Sequence, residues 1–243
     1  MSAEPALRGL PLRAQGVTAG YGGDPVIRGI TVDVAPGQVV SLVGPNGSGK
    51  STLLKSLVGI VRVSSGTVRV GERDVTNQPP EEIARAGVGY VPQVDDVFGP
   101  LTVRENLEMG GYLLRKAQVA EHIERVLAVF PRLRGMLGRP AGKLSGGERK
   151  MLAMGRVLMI DPGVFLLDEP MAGVHPDLAR RIGRKLTELC ADGMTILMVE
   201  HELAIMDEFC DPVVVMADGS VLAEGTMDQL RARSEVVEAY LVG

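Results

Sequence analysis

The sequence predicts an α/β fold: a mostly parallel sheet with helices on its faces and a helical lobe inserted into it. Three observations carry this. After Ser145, apolar strand segments alternate with amphipathic helical ones; the first third is β-rich; and the middle shows only helical periodicity. A chain of 243 residues can bury a large core as one elaborated domain or as two closely packed lobes, and a single α/β unit with an inserted lobe suits the pattern best.

Residues 26–34 read as a strand closed by Pro36-Gly37. Residues 39–43, Val-Val-Ser-Leu-Val, form an apolar strand that runs directly into Gly-Pro-Asn-Gly-Ser-Gly-Lys-Ser-Thr at 44–52. The leucines and valines of 51–61 then suit a helix buried against a sheet, and 66–70 is a further strand closed by Gly71. In the middle, Thr102 and Glu105 form a capping-box pattern that opens a helix over 102–116, and a second helix over 117–130 stops at Pro131. Strand 164–167, helix 176–190, strand 195–199 and a helix toward Phe209 follow, and the strands at 213–216 and 221–224 flank the hairpin signal Asp218-Gly219. There is no internal repeat and no low-complexity segment.

Composition excludes several classes. With 26 basic against 30 acidic residues, net charge −4 and both signs dispersed, no basic footprint points to nucleic acid. Two cysteines, Cys190 and Cys210, are too few for a disulfide scaffold and lack metal-ligand spacing, which implies reduced thiols and a cytosolic setting. No cationic start precedes an apolar run and no apolar stretch approaches the length of a bilayer span, so a soluble chain is expected.

Three motifs carry chemistry. Residues 44–51 match G-x-x-x-x-G-K-[ST] at every fixed position, between a strand and a helix. A backbone this bare can wrap a polyphosphate: Gly44, Asn46, Gly47, Ser48, Gly49 and Thr52 would cradle it with loop and helix-end N–H groups. Lys50 would reach the β- and γ-phosphates, and Ser51 would ligate Mg²⁺. The plain alternative is a glycine-rich turn. Second, the apolar run 164–167 ends in Asp168-Glu169-Pro170, which places Asp168 to hold Mg²⁺ through water and Glu169 to act as general base toward a water; taken alone, such a segment is more often just a turn. Third, Ser145-Gly146-Gly147-Glu148 opens a helix with a capping box, yet glycine disfavours a helix by about 1 kcal/mol against alanine. A helix end this bare suits an approaching anion.

The P-loop, the Leu-Ser-Gly-Gly-Glu segment and the Leu-Leu-Asp-Glu-Pro strand, in this order and spacing, resemble the nucleotide-binding subunit of ABC transporters over nearly the whole chain. The resemblance implies an α/β P-loop NTPase core of ABC ATPase type, with an antiparallel β subdomain and an inserted helical subdomain: one domain over 1–243, with core at 1–93 and 161–243 and helical lobe at 94–160. It implies ATP hydrolysis with Mg²⁺, and assigns further positions: Tyr21 as the aromatic stacking on adenine, Gln93 as the glutamine that ligates Mg²⁺ or the attacking water, His201 as the switch histidine at the γ-phosphate, and Ser145, Gly146 and Gly147 as the segment that closes over ATP across a dimer. Taken alone, Tyr21 reads as a turn residue and Gln93 as a solvated loop residue. His175 stands where the family usually carries the D-loop aspartate, which puts carboxylate crosstalk between subunits in doubt.

Residues 87–93, 101–110 and 151–156 look like the smaller ATPase of branched-chain amino acid importers, whereas 171–176 look somewhat more like the larger one; urea and lipopolysaccharide-export relatives share parts of these segments. The implied partners are transmembrane permease subunits, a second ATPase subunit (identical or related) and, through the complex, an extracytoplasmic solute-binding protein, at the cytoplasmic face of the membrane. Two other readings stand beside this one: a non-transport ABC ATPase serving a soluble assembly such as iron–sulfur cluster assembly, and a regulatory protein that binds ATP without hydrolysing it. The intact Asp168-Glu169 pair and His201 weigh against the latter.

Overall fold

The structure, a computed structural model, describes residues 9–94, 97–201, 208–210 and 212–238. Among the described residues ten strands make two sheets. The first is antiparallel, in the order β2-β1-β4-β5, from β1 (Leu12–Ala19), β2 (Ile27–Val34), β4 (Val63–Val70) and β5 (Arg73–Asp74). The second runs β10-β9-β3-β8-β7-β6 and comprises β3 (Val39–Val43), β6 (Val88–Val91), β7 (Val164–Asp168), β8 (Thr195–Val199), β9 (Val213–Ala217) and β10 (Ser220–Gly225). Its neighbours are parallel except for the edge hairpin of β9 and β10. That hairpin turns at Asp218 and Gly219, both at positive φ (47° and 75°), as a two-residue turn matched to strand twist requires.

Every residue of β3, β7 and β8 is buried. Strands so continuously apolar must be covered on both faces, and the sheet separates two apolar cores. Val40, Leu42, Leu166, Leu197 and Val214 face α1 (Lys50–Leu57) and the antiparallel sheet. Val39, Phe165, Leu167, Ile196 and Met198 face the layer that contains α5 (Gly146–Leu158) and α6 (Pro176–Ala191). α2 (Pro80–Arg85) precedes β6, and α3 (Val103–Gly110) and α4 (Lys116–Val129) pack with α5.

Several boundaries differ from the sequence expectation. The helix expected over 51–61 ends at Leu57, because Gly59 takes φ 75° where a Cβ would lie 2.3 Å from the Gln78 carbonyl oxygen. The helix expected over 102–116 is only α3, followed by a turn at 111–114: α3 stops at Gly110, whose backbone lies so close to α5 that a Cβ would sit 2.2 Å from the Arg156 carbonyl oxygen. The strand expected at 66–70 starts at Val63. β1 and β6 are strands that the apolar pattern does not single out: Arg13 and Gln15 interrupt β1, and the four-residue β6 lies in a glycine-containing stretch. Most of the helix expected toward Phe209 lies outside the described residues; Glu208 and Phe209 are helical.

Candidate functional site

The parallel register sets β3, β8 and β7 side by side, with Leu42 opposite Val199 and Val199 opposite Asp168. Their carboxyl ends therefore release the loops at 44–49, at Glu169 and at Glu200-His201 in one place, where open α/β sheets bind ligands.

The first loop needs its glycines. Gly44, Gly47 and Gly49 take φ of 144°, 84° and 99°, and a Cβ on Gly44 would lie 2.0 Å from the Met216 carbonyl oxygen. Lys50 is buried, and its Nζ donates to the carbonyl oxygens of Gly44 and Pro45, both at 2.9 Å, so the ammonium sits within the curl of the loop. Burial lowers its pKa, and Glu169 and Asp168 counter that shift. Ser48 and Thr52 are buried beside it, while Asn46 is exposed at the loop mouth.

From β7 come two carboxylates in different settings. Asp168 is 2% exposed; its Oδ1 accepts from Ser51 Oγ at 3.0 Å and its Oδ2 from Tyr90 OH at 3.4 Å. Burial pushes its pKa up, against the Ser51 hydrogen bond. Burial and the facing Asp168 likewise push the Tyr90 phenol up, which fixes that hydroxyl as a donor. Glu169 is held at φ 51°, a left-handed conformation that costs a non-glycine residue about 1–2 kcal/mol. The turn leaves its side chain between two partners: Gln93 Nε2 donates to Oε2 at 2.6 Å, and His201 Nε2 lies 3.0 Å from Oε1. Gln93 is anchored in turn, since its carbonyl oxygen accepts from Lys150 Nζ on α5 at 2.7 Å. Tyr90 and Lys150, which the motifs did not single out, thus buttress the site; a tyrosine on a glycine-containing strand and a lysine inside an apolar helix face were the available signals.

The structure joins Ser51 to Asp168, and Gln93 and His201 to Glu169, through direct contacts, with the Lys50 ammonium held in the adjacent loop. Ser145, Gly146 and Gly147 lie elsewhere, at the start of α5. Ser145 caps that helix: its Oγ accepts from Glu148 N at 3.3 Å and Glu148 Oε2 accepts from Ser145 N at 2.9 Å. The glycines differ. A Cβ on Gly147 would lie 2.3 Å from Leu178 Cδ2, so packing on α6 requires this glycine; Gly146 meets nothing closer than 3.7 Å and is exposed with Ser145. Tyr21 is 65% exposed, its ring uncovered. His175 caps α6, with Nδ1 accepting from Asp177 N at 3.4 Å.

Known proteins match this arrangement along its length. The ABC transporter family profile covers residues 27–172. A probable branched-chain amino acid transport ATP-binding protein LivF of Archaeoglobus fulgidus is 40% identical over 220 residues, 90% of this chain and 93% of that one. The high-affinity branched-chain amino acid transport ATP-binding protein BraG of Pseudomonas aeruginosa is 36% identical over 93% of this chain and 97% of its own. Among solved structures, an ATP-binding cassette of an ABC transporter in its ADP conformation superposes with TM-score 0.88 at 32% identity, covering 96% of this chain and 99% of that chain. A match of this extent, on a glycine loop and paired carboxylates already assembled by the fold, has one reading: the chain belongs to the ABC transporter family, as an ATP-binding subunit and ATPase that powers transport.

Proposed function

We propose that this ATPase drives import of branched-chain amino acids or similar small solutes, working in a head-to-tail pair with a second ATPase subunit on the cytoplasmic face of a membrane. The LivF and BraG likenesses support the cargo class. The observation that carries the hydrolytic role is the grip on Glu169, 2.6 Å from Gln93 and 3.0 Å from His201 at the ends of the strands that border the glycine loop.

ATP binding would draw the Lys50 ammonium from the Gly44 and Pro45 carbonyls to the β- and γ-phosphates, with the loop N–H groups of 44–49 and the start of α1 around them. Tyr21 would cover the adenine. Glu169 takes the proton of the attacking water, while Gln93 and His201 orient that carboxylate and donate toward the γ-phosphate. Oxygen donors suit a hard divalent cation: Ser51 Oγ and Asp168 Oδ1 are 3.0 Å apart, and a cation would offset the cost of ionising a buried Asp168. Mg²⁺ held by Ser51, Asp168 and Gln93 would neutralise charge at the phosphates.

Ser145, Gly146 and Gly147 serve the nucleotide of the opposite subunit. Ser145 Oγ accepts from Glu148 N, which leaves its O–H free to donate to a phosphate oxygen. We assign the core to 1–93 and 161–243 and the moving helical lobe to 94–160. Permease subunits would dock where the two meet, in a groove of about 460 Å³ lined by Ile60, Ile83, Tyr90, Met109 and Tyr112, of which Ile60, Met109 and Tyr112 are large exposed apolar side chains. An extracytoplasmic solute-binding protein would act through the permease.

Glu169→Gln should lower turnover at least about 100-fold, as loss of a general base does, and trap an ATP-bound dimer by size-exclusion chromatography. Normal turnover in that variant would refute the role of Glu169. Native complexes captured with this chain should contain two permease chains and a second ATPase; capture of soluble partners alone would refute the transport assembly.

A further inference from the structure

We propose that the cleft between the end of α4, the 3-10 turn Pro131–Met136, α5 and α6 binds an amphiphilic anion, a carboxylate on a medium-length acyl chain, and that this ligand acts on the cap of α5. The action on the cap rests on the reading of Ser145 given above; the binding does not.

The cleft holds about 330 Å³, within the range of small-molecule sites. Its apolar lining comes from Val129, Phe130, Met151, Leu178 and Ile182, and its cations are Arg132, Arg181, Arg184 and Lys185. Glu188, the one carboxylate among the described lining residues, is bound to Lys185 at 2.5 Å. Arg181 and Arg184 share one face of α6, are exposed, and have no ion-pair partner among the described residues. A hydrocarbon alone would leave these guanidinium groups unanswered, and an alkylammonium would be repelled. An acyl carboxylate answers both, the chain on the apolar lining and the carboxylate on an arginine fork.

Two lining residues reach the signature end of α5. Leu178 packs on the bare Cα of Gly147, where a Cβ would lie 2.3 Å from Leu178 Cδ2. Arg132 pairs at 3.6 Å with Glu148, whose carboxylate also accepts from Ser145 N at 2.9 Å. A carboxylate that draws Arg132 away, or a chain that displaces Leu178, therefore alters the support of the Ser145 cap.

The test uses the full chain labelled with ¹³C at methionine methyl groups, with the Met151 signal identified from a Met151→Leu sample. Decanoate should shift that signal saturably, decyltrimethylammonium should not, and the R181E/R184E variant, with an unchanged melting curve, should bind decanoate at least tenfold more weakly. No shift of Met151, an equal response to the alkylammonium, or full binding by the charge-reversed variant would overturn the site. Decanoate should also change ATP turnover at least twofold in the native chain and not in R181E/R184E; binding with turnover unchanged would overturn the action on the cap. The Glu169→Gln trap uses neither probe, so failure of this site and failure of the proposed hydrolytic role are separately visible.

Discussion

Glu169 shows how much one residue's setting decides. Two adjacent carboxylates leave β7, yet Asp168 turns into a dry pocket against Ser51 and Tyr90 while Glu169, at φ 51°, turns toward Gln93 and His201. The same carboxylate chemistry stands in two different environments. If His201 acts as a donor to the transferring phosphate, His201→Ala should lower kcat about 100-fold, the loss seen when one transition-state donor is removed, with ATP affinity little changed in equilibrium binding. Lys50→Met should bind ATP at least tenfold more weakly but melt no lower without nucleotide, because burial already disfavours the charged ammonium; calorimetry on both ligand-free forms checks this. At this scale the sequence was informative about residue identity: Lys50, Ser51, Asp168, Glu169, Gln93 and His201 were all named from motif and resemblance. For Tyr90 and Lys150 the sequence carries only weak signals, since their contacts come from strand pairing and helix packing rather than from a local motif.

At the scale of elements, α5 joins chemistry to scaffold. Its capping box was legible in the spacing of Ser145 and Glu148, and the geometry has both reciprocal bonds. Ser145→Ala should destabilise the chain by about 1 kcal/mol through loss of the cap, measured by urea unfolding apart from any effect on turnover. A hydrogen bond from the backbone N–H of Ser145 holds the Glu148 carboxyl below its ordinary value of 4.5. A depressed acid contributes stability that is present above the unfolded pKa and lost as pH falls through the folded one. Amide-exchange protection at Ser145 should thus fade below about pH 4.5, and Glu148→Gln should remove that pH dependence. The two glycines after Ser145 looked alike in sequence, as a bare end fit for an anion. Packing separates them: Gly147→Ala should destabilise and be partly rescued by Leu178→Ala, whereas Gly146→Ala finds ordinary contact distances. Helix lengths were misread for the same reason, because α3 ends where α5 presses on Gly110 and α1 where Gln78 presses on Gly59.

For the whole molecule, the central sheet holds the nucleotide loop on β3 and the carboxylates on β7, with α1 and the antiparallel sheet on one face and the helical layer on the other. No helix among the described residues is long and apolar enough to cross a membrane. Both cysteines are buried, and burial pushes the Cys210 thiol up to about 12 and raises Cys190 as well. Thiolate is the reactive form, so a disulfide-exchange reagent should label neither rapidly in the native chain and both after denaturation.

Local sequence determined the P-loop, the strand-ending carboxylates, the caps and the Asp218-Gly219 hairpin, because each depends on backbone conformations or hydrogen bonds made within a few residues. Tertiary structure alone decided that β8 lies between β3 and β7, that Gln93 and His201 close on Glu169 from segments far apart in the chain, and that one glycine of Gly146-Gly147 is a packing necessity. Those outcomes follow from strand order and from side chains meeting across elements. Contacts between distant segments leave no periodic trace in the residues that make them.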